Sequence, residues 1–596
     1  MCGIFGYIGN KNASRIILDG LKRLEYRGYD SWGIAVVAKN KIEVVKKVGA
    51  IGDVVDISSL PKSNIGIGHT RWATHGGVTD TNAHPHYSAD YSFVLAQNGI
   101  VENYQELKKM LLNKGYKFLT ETDTEVIVRL VEYKLREKKL TSINHEHLRY
   151  AVKSTFLDLK GRNTVILLSN SGDQVIAVRN GSPLVVGIKD KEYFFASDTL
   201  SFSDKTNEVI FFNDYEMVSY ENREIRIFDI KKEKELKPDI QKLDQIHIKI
   251  NKEGFDHFMI KEIVEQRYTI RKAVQYSLEE LKPLIIAIKK AKNVYTLGAG
   301  TASFAAGQIA YYLRKYSQVK TTELRSYDIG SYKNLFEKDD VVIAVSQNGE
   351  TADTIEALEL AKNKGAKIAS IVNMIGSTIT KISDYPYFTK SGPEICVAST
   401  KVFTAQISWG FLLANSIIGK HKEGKFIIEK LAKNLESYFT DELYEQMQAL
   451  AKRISTQEHF FVLGKGQNFY ISLEGALKVK EITYKHFEGF CAGELKHGII
   501  ALVDSETPVL VIISEDEDKK DMLSSTAQVK ARGAFVIGIA TKYNNLFDEY
   551  IETVEGGLAD AIAKIIPFQL LSYFLGTHLG NSPDKPRNLA KSVTVK

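Results

Sequence analysis

A chain of 596 residues is too long for one hydrophobic core, so size alone predicts about three domains. The composition, 44% hydrophobic and 26% charged, is that of a soluble globular protein, and a formal charge of +6 without a basic tract disfavours nucleic-acid binding. Three cysteines form no disulfide framework, and the N-terminus lacks a signal-peptide pattern. We therefore expect a cytoplasmic protein with no nucleic-acid partner.

The most apolar late stretch runs from residue 562 to 579. It contains Lys564, Gln569 and His578, so we expect it to be too short and too polar to span a bilayer. No membrane partner is therefore expected.

A cysteine directly follows the initiator methionine. Once Met1 is removed, Cys2 carries a thiol together with a free α-amine. The amine's unperturbed pKa of about 7.7–8.0 lies close enough to the thiol's, about 8.5, for it to take the thiol proton near neutral pH. The apolar Ile4 and Phe5 between Gly3 and Gly6 predict a buried strand that holds the terminus in place. A second-position cysteine can also be incidental, and this stretch alone leaves both interpretations open.

The first 240 residues predict a mixed α and β domain in which stacked sheets are flanked by helices. A charge-rich turn is expected at 231–238, leading into a linker. The other predicted elements are helices at 16–24, 103–113 and 124–137, a hairpin at 33–47 around 39–41, strands at 65–68 and 93–96, and five or so short strands between 164 and 229.

After residue 280 the pattern changes to strand–loop–helix units, which is typical of a parallel sheet. It also repeats. Val341–Ser346 matches Val509–Ser514 and Ala361–Ala366 matches Val529–Ala534, both at an offset of 168 residues (509 − 341 and 529 − 361). Two copies of one α/β unit are the economical explanation. Helices between about 427 and 454 join them, and the last sixteen residues predict an irregular tail.

The segment 68–76 is dense in polar side chains and predicts a binding loop. Arg71 could pair bidentately with a carboxylate, and Trp72 has the flat apolar side chain that a lid requires. Histidines occur at 69, 75, 84 and 86, but no cysteine or acid joins them at a usual ligand spacing, so no metal site is expected.

Two further stretches could complete a site for acyl transfer. Asn98 and Gly99 follow a predicted strand, where a side-chain amide and a backbone N–H could form an oxyanion hole; a plain Asn-Gly turn is the alternative. Thr122–Glu125 predicts a helix N-cap, and Asp123 within it could also bind a substrate ammonium group.

Together these stretches resemble the class II, N-terminal-nucleophile glutamine amidotransferases. The resemblance rests on Met1–Ile4, Leu24-Glu-Tyr-Arg-Gly-Tyr-Asp30, His69-Thr-Arg-Trp-Ala-Thr-His75, Asn98-Gly99 and Thr122–Glu125. It implies an αββα sandwich with Cys2 as nucleophile, its amine as base, and Asn98 and Gly99 as the oxyanion hole. It also implies that Arg71 and Asp123 bind glutamine, helped by Thr74, His75 and the backbone near His86, and that Trp72 is a lid.

The first copy of the repeat contains a candidate phosphate site. The strand 341–345 ends in Ser346-Gln-Asn-Gly-Glu-Thr351 and a helix follows, so hydroxyls, backbone N–H groups and a helix N-terminus converge there. Gly298–Thr301 offers the same geometry after another strand. A dinucleotide site is disfavoured because Ser303 replaces the third glycine of the G-x-G-x-x-G pattern.

The second copy contains a candidate proton-transfer site. Glu474, Lys478 and Glu481 are spaced to lie along one helical face, although an exposed Glu–Lys ladder gives the same spacing. His497 follows in a glycine-containing segment. A carboxylate, an amine and an imidazole together suit proton transfer next to a carbonyl.

These stretches resemble sugar isomerase (SIS) domains, and two such domains behind a class II glutaminase resemble the glutamine–fructose-6-phosphate aminotransferases over the whole chain, down to the final Pro586–Val595. The resemblance implies two doubly wound parallel-sheet domains, glutamine and fructose 6-phosphate as substrates, glucosamine 6-phosphate and glutamate as products in the first step of hexosamine synthesis, no cofactor, and a homodimer. It implies five segments: glutaminase 1–240, linker and entry helix 241–280, SIS domains 281–425 and 426–580, and catalytic tail 581–596.

The same resemblance implies the residue roles at the sugar site. Lys591 forms a Schiff base with the open-chain ketose, Glu481 moves a proton between C1 and C2, Lys478 assists, and His497 opens the ring. The substrate-binding residues are Thr301, Ser346, Gln347 and Thr351 at the phosphate, Val397, Ser399 and Lys401 along the sugar, and Glu474.

The chain departs from this family's usual pattern at a few positions. Asn348 and Ala302 stand where serine is usual in the sugar-phosphate pocket, Gln97 where histidine precedes the oxyanion asparagine, and Ile499 where proline is usual. The lost hydroxyl at Ala302 corresponds to about 0.5–1.5 kcal/mol of binding. Two other functions remain open: a glutaminase that feeds another phosphosugar, and a sugar-phosphate sensor without catalysis.

Overall fold

The computed structural model describes residues 2–52, 56–138, 144–243 and 251–593. It contains two compact units, one formed by residues 1–250 with 590–596 and one by residues 251–589. Of the predicted linker and tail, residues 244–250 and 594–596 lie outside the described residues, as does Met1.

The first unit is built mainly from antiparallel strands. Its elements in chain order are β1 Gly3–Ile8, α1 Ala13–Leu24, β2 Ser31–Ala38, β3 Lys41–Val48, β4 Ile65–Arg71, β5 His86–Tyr87, β6 Phe93–Gly99, α2 Tyr104–Asn113, α3 Asp123–Glu137, α4 His145–Asp158, β7 Asn163–Ser169, β8 Val175–Asn180, β9 Val185–Lys189, β10 Glu192–Ala196, β11 Glu208–Phe211, β12 Glu216–Glu221, β13 Glu224–Asp229, β14 Lys234–Leu236 and β15 Gln241–Lys242.

These strands form two sheets. One has the order β15-β11-β9-β10-β1-β4-β2-β3 and the other β14-β13-β12-β8-β7-β6-β5. The strand β1 is central in the first sheet, paired antiparallel with β10 and β4. The N-terminus is therefore held on both sides.

Alternation along the strands produces a four-layer αββα sandwich. In β1, Ile4 and Ile8 lie in the core between the sheets, whereas Phe5 and Tyr7 face a second core under α1. In β6, Val94 joins the inter-sheet core, and the alternate residues pack under α2, α3 and α4. Successive side chains of a strand point to opposite faces of its sheet. Because both faces are buried here, each sheet must have a layer packed on either side of it. The αββα expectation is confirmed.

Some predicted elements of this unit were wrong. Seven strands, not about five, lie between 163 and 229, and β14 occupies part of the expected turn at 231–238. The helix α4 was not predicted. Its start is fixed by a capping box between Asn144 and His147, and its apolar residues, Leu148, Ala151 and Val152 among them, are buried.

The second unit contains helices and parallel strands. Its elements are α5 Phe258–Ala273, α6 Leu278–Lys290, β16 Val294–Gly298, α7 Thr301–Ser317, β17 Thr321–Arg325, β18 Val341–Ser346, α8 Ala352–Asn363, β19 Lys367–Val372, α9 Thr378–Ile382, β20 Tyr385–Phe388, α10 Lys401–Ile417, α11 His421–Glu436, α12 Asp441–Ile454, β21 His459–Gly464, α13 Phe469–Thr483, β22 His486–Cys491, β23 Pro508–Ile513, α14 Lys519–Lys530, β24 Phe535–Ala540, β25 Glu549–Glu552, α15 Asp560–Lys564 and α16 Ile566–His578.

The two copies of the repeat have one topology. The sheets run β17-β16-β18-β19-β20 and β22-β21-β23-β24-β25, which is the same order in each copy, and the strand pairs are parallel. In this doubly wound order, ligands bind where the chain direction across the sheet reverses, at the carboxyl ends of the first and third strands. We therefore expect a ligand to bind at the carboxyl ends of β16 and β18.

The apolar stretch near the C-terminus is a core helix pair. Gly557–His578 spans 22 residues, so our expectation that it is too short to cross a membrane was wrong: by length and composition it qualifies. However, 94% of its most apolar window is buried inside the protein. Core helices pass the same test, so this segment is weak evidence for a membrane span.

Candidate active sites

Cys2 is the residue directly before β1, and its thiol contacts the loop that follows β4. The backbone N–H of Trp72 donates to Cys2 Sγ at 3.3 Å, and Sγ lies 3.5 Å from the carbonyl oxygen of Trp72. Burial raises the pKa of the Cys2 thiol, while the nearby charge of Arg71 and the Trp72 N–H act in the opposite direction. A buried thiol of this kind requires a base to become a nucleophile.

The motif 24–30 holds this terminus, a role that its sequence did not reveal. Arg27 Nε donates to the carbonyl oxygen of Cys2 at 3.2 Å, and its guanidinium lies 3.6 Å from the carboxylate of Asp198. Tyr26 donates to the same carboxylate, and Asp30 accepts from the N–H of Ala73 at 2.8 Å. Asp198 was missed because nothing in its own neighbourhood marks it.

Arg71 is buried and shapes its own loop. It donates to the carbonyl oxygens of His75, Gly76 and Gly77 at 2.5–3.1 Å. His75 packs edge-on against Tyr104, and the side chain of Thr74 is exposed. Burial lowers the pKa of Arg71. A glutamine carboxylate would meet this guanidinium only by sharing it with the loop carbonyls.

Asn98 and Gly99 end the strand β6, paired with Thr164 and Asn163 of β7, so the alternative of a plain turn was wrong. Asn98 Nδ2 donates to Ser197 Oγ at 2.8 Å, and Ser197 Oγ accepts from the N–H of Ile4 at 2.8 Å. One N–H of the Asn98 amide thus fixes the side chain beside β1. Its second N–H is the donor available to an oxyanion.

Gly99 offers a direct test of local geometry. Its φ is +124°, and a Cβ built there would lie 2.0 Å from the carbonyl oxygen of Arg162. Gly99→Ala should therefore cost about 4 kcal/mol of unfolding free energy, at the upper end for single substitutions. Gly115→Ala is the control, because Gly115 has a φ of +83° but open space around it, and should cost about 1 kcal/mol. Equal losses in urea unfolding would contradict the clash.

Asp123 begins α3 and is buried. Its carboxylate accepts from the N–H of Val101 at 2.8 Å, and burial raises the pKa of the Asp123 carboxyl. The preceding Thr122 is the N-cap, bonded to the N–H of Glu125 and, at 3.1 Å, to His86 Nε2. His86 therefore positions the start of the helix that presents Asp123.

Three buried histidines stack in this unit. The rings of His69 and His84 lie 4.3 Å apart and those of His84 and His86 4.8 Å apart. Within the described ranges, no group of three or more His, Cys, Asp or Glu side chains is arranged to hold a metal ion. Burial lowers the pKa of His69 to about 3, and those of His84 and His86 well below the ordinary value.

These histidines should make the first unit sensitive to acid. Because folding lowers the pKa of His69 from 6.5 to about 3, its contribution to stability is complete above pH 6.5 and is lost as the pH falls toward 3. The slope is at most about 1.4 kcal/mol per pH unit for one histidine. We expect His69→Gln to flatten the fall in urea midpoint between pH 7 and 5, whereas the exposed His578→Gln should not. Parallel curves for all three proteins would contradict this.

In the second unit, the candidate phosphate residues lie at the reversal point of the first sheet. Thr301 begins α7 just after β16, and Ser346 ends β18, with Thr351 as N-cap of α8. Ser346 Oγ accepts from the N–H of Gly349 at 3.0 Å, and the backbone of Gln347 bonds Asn373. The hydroxyl of Thr351 does not cap its own helix, which leaves it available to an anion.

Glu474, Lys478 and Glu481 are brought together on α13. Lys478 Nζ lies 3.5 Å from Glu474 and 2.5 Å from Glu481, and the side chains of Glu474 and Lys478 are fully buried. The exposed-ladder alternative was therefore wrong. Burial raises the pKa of Glu474 to about 8, while the two carboxylates raise the pKa of Lys478 above its ordinary value despite burial. Glu481, partly exposed, is the carboxylate that a substrate can reach.

A contact that the sequence could not reveal joins the two copies. Thr301 Oγ1 donates to Glu474 Oε1 at 3.2 Å, across 173 residues of sequence. The start of the candidate phosphate site thus touches the candidate proton-transfer group.

The residues predicted along the sugar are engaged with their own surroundings. Lys401 Nζ donates to Glu265 of α5 at 2.6 Å, Ser399 Oγ to Glu394 at 2.9 Å, and the N–H of Val397 to the carbonyl oxygen of Asp584 at 3.1 Å. Asp584 also accepts from the first N–H groups of α5, which fixes the start of the tail.

His497 and Lys591 are the two predicted catalytic residues of the sugar site that lie outside α13. His497 ends a short 3-10 helix and is exposed. Lys591 belongs to the segment 590–596, which groups with the first unit.

The comparisons with known proteins agree with this architecture. A glutamine amidotransferase domain model matches residues 69–204, and an SIS domain model matches residues 287–416 and 453–573. Curated proteins named glutamine–fructose-6-phosphate aminotransferase (isomerizing) from Pyrococcus horikoshii and Methanococcus maripaludis are each 39% identical, with 100% of both chains covered.

A solved structure is similar to about half of this chain. The C-terminal domain of glucosamine-fructose-6-phosphate aminotransferase from Francisella tularensis is 31% identical, with a TM-score of 0.51 over 56% of this chain and 100% of that one. Since full-length relatives exceed 30% identity throughout, this chain belongs to the glutamine–fructose-6-phosphate aminotransferase (isomerizing) family.

Proposed function

We propose that this chain transfers the amide nitrogen of glutamine to fructose 6-phosphate and isomerises the product, giving glucosamine 6-phosphate and glutamate, the first step of hexosamine synthesis. The observation that carries the proposal is the contact from Thr301 to the Glu474–Lys478–Glu481 group, because it couples an anion-binding helix start to a buried acid–base cluster.

Glutamine hydrolysis begins with the thiolate of Cys2. The α-amine of Cys2 takes the thiol proton, and Sγ attacks the side-chain amide carbon of glutamine. The oxyanion is stabilised by the Asn98 amide and the N–H of Gly99. Ammonia leaves with the transferred proton, and water then releases glutamate from the thioester. Arg71 and Asp123 hold the carboxylate and ammonium of the substrate, with Thr74, His75 and the segment of His86 completing the pocket.

The sugar half-reaction requires a carbonyl activated at C2. After His497 assists ring opening, the amine of Lys591 condenses with the C2 ketone and water leaves. Ammonia attacks this imine and displaces the lysine. Glu481 then removes a proton from C1 and returns one to C2. The C1 hydroxyl gives up its proton and the imine nitrogen gains one, so the C1 alcohol becomes an aldehyde and the C2 imine becomes an amine. The ammonium of Lys478 lies 2.5 Å from the carboxylate of Glu481 and positions it on the face of α13.

The sugar phosphate is bound by Thr301, Ser346, Gln347 and Thr351, and the sugar chain by Val397, Ser399, Lys401 and Glu474. The experiment for this proposal is product detection with fructose 6-phosphate and with free fructose. Amino sugar should form only from the phosphorylated sugar, because three hydroxyls and two helix N-termini converge on the anion. Equal rates with both sugars would contradict the assignment.

Trp72 should couple the two half-reactions. Its backbone contacts Cys2 Sγ, and its ring packs edge-on against Tyr29 at 5.8 Å. Ammonia must be kept from bulk water, which a closing aromatic lid accomplishes. Trp72→Ala should retain glutamine hydrolysis but release several molecules of glutamate per amino sugar. If both products fall in proportion, Trp72 only packs the loop.

Several further assignments belong to the same proposal. The chain divides into a glutaminase domain (1–240), a linker and entry helix (241–280), two SIS domains (281–425 and 426–580) and a catalytic tail (581–596). The enzyme acts as a homodimer in the cytoplasm. It needs no cofactor. Sparse cysteines support a reducing compartment. Neither nucleic acid nor a membrane is a proposed partner.

A further inference from the structure

Arg325 lies at the edge of the candidate phosphate site without having been assigned to it. It ends β17, in register with Gly298 at the end of the neighbouring β16. Its guanidinium donates to Ser303 Oγ and lies 4.9 Å from the ring centre of Phe304. Ser303 and Phe304 belong to the first turns of α7, the helix that Thr301 begins. The positive charge of Arg325 is thus held at the N-terminus of α7.

Few acidic groups lie near the Arg325 guanidinium in the described part of the chain. Arg325 forms no ion pair there, and the first turn of α7 contains no acidic residue. Glu323, two residues earlier on β17, is influenced by Arg325, but burial still raises the pKa of its carboxyl. A helix N-terminus carries about half a positive charge. The Arg325 guanidinium thus adds positive charge beside the N-terminus of α7, and an anion bound at that helix start would interact with both.

The neighbouring Ala302 supplies no hydrogen bond where a serine hydroxyl is usual in this family. It stands between Thr301 and Ser303 in the same helical turn that Arg325 contacts. A guanidinium provides several donors in a planar fork that matches phosphate oxygens. Through Ser303, the Arg325 side chain is anchored within reach of that turn.

We propose that Arg325 binds the phosphate group of the sugar and replaces the hydroxyl that Ala302 lacks. The proposal rests on the proposed function, since it takes the phosphate to lie between the starts of α7 and α8. Arg325 is then a specificity residue that favours a dianionic sugar phosphate over a free sugar. Its orientation is fixed in advance by Ser303 and Phe304, so little side-chain entropy is lost on binding.

The experiment measures fructose 6-phosphate affinity at equilibrium by calorimetry, in folded proteins verified by thermal melting. Arg325→Gln should weaken binding about 10- to 100-fold, as expected for a charged hydrogen bond. Arg325→Lys keeps the charge and should lose less. Arg314→Gln is the matched control, since Arg314 lies on the last turn of α7 and donates to the carbonyl oxygen of Thr321, and its affinity should be unchanged.

A second variant separates phosphate binding from a structural role. Ala302→Ser, placed in the Arg325→Gln protein, should recover part of the lost affinity, because it restores a donor to the phosphate. A residue that only supports the loop would not be rescued in this way. Absence of rescue, or unchanged affinity in Arg325→Gln, overturns the inference.

Thr351→Ala distinguishes this failure from failure of the proposed function. If Thr351→Ala weakens sugar-phosphate binding while Arg325→Gln does not, the site stands and only Arg325 is wrongly assigned. If neither variant changes affinity, the phosphate does not lie at this end of the sheet, and the proposed sugar site fails with the inference.

Discussion

Replacing Cys2 by alanine should lower glutamine hydrolysis by at least about 10³-fold, because Cys2 is the only cysteine among residues 1–250. The sulfur of Cys2 is held by the backbone of Trp72, and its strand is central in its sheet. The rate of glutamate release from glutamine measures the effect directly. Synthesis of amino sugar from glutamine should be lost to the same extent.

The other two cysteines are the matched controls. Cys396 is buried and Cys491 ends β22, both in the second unit. Cys396→Ala and Cys491→Ala should retain most of the hydrolysis. A protein that keeps Met1 should lose the reaction as Cys2→Ala does, because its α-amine is no longer on the nucleophile. Full activity with Met1 in place would contradict the role of the amine.

Glu481→Gln should reduce amino sugar formation about 10²- to 10⁴-fold, the range for loss of a general base. The amide cannot accept the C1 proton, yet it keeps the size of the side chain, so α13 should fold unchanged. Glutamine hydrolysis should persist, because the first unit carries its own nucleophile. The measurement is the rate of glucosamine 6-phosphate formation beside the rate of glutamate formation.

Lys480→Gln controls for the loss of a charge on the same helix. Lys480 is exposed, whereas Lys478, two residues earlier on the same helix, is buried. It should synthesise amino sugar at nearly the parent rate. If Glu481→Gln also does so, another group moves the proton and the assignment of α13 is wrong.

The topology of the second unit could be predicted well because the sequence contains two copies of the same α/β unit. The offset of 168 residues between Val341 and Val509 predicted two copies, and both sheets have one strand order. The short strands of the first unit were harder to count. The strand β14 is three residues long and mostly charged, so its pairing with β13, not its own pattern, makes it a strand.

The candidate catalytic residues could be predicted from the sequence, but the residues that hold them in place could not. The spacing of Glu474, Lys478 and Glu481 predicts one helical face, yet burial had to come from the surrounding helices. Ser197 and Asp198, which hold Asn98 and Arg27, are more than 90 residues from their partners. Contacts between residues so far apart in the sequence produce no local sequence pattern, so they can be identified only from the structure.

The most direct test of the account is to incubate the protein with glutamine and fructose 6-phosphate and to measure glutamate and glucosamine 6-phosphate together. The account predicts one molecule of amino sugar for each glutamate, with neither formed at that rate by Cys2→Ala. Glutamate released without amino sugar, at any concentration of fructose 6-phosphate, would contradict the central claim that the two units perform one coupled reaction.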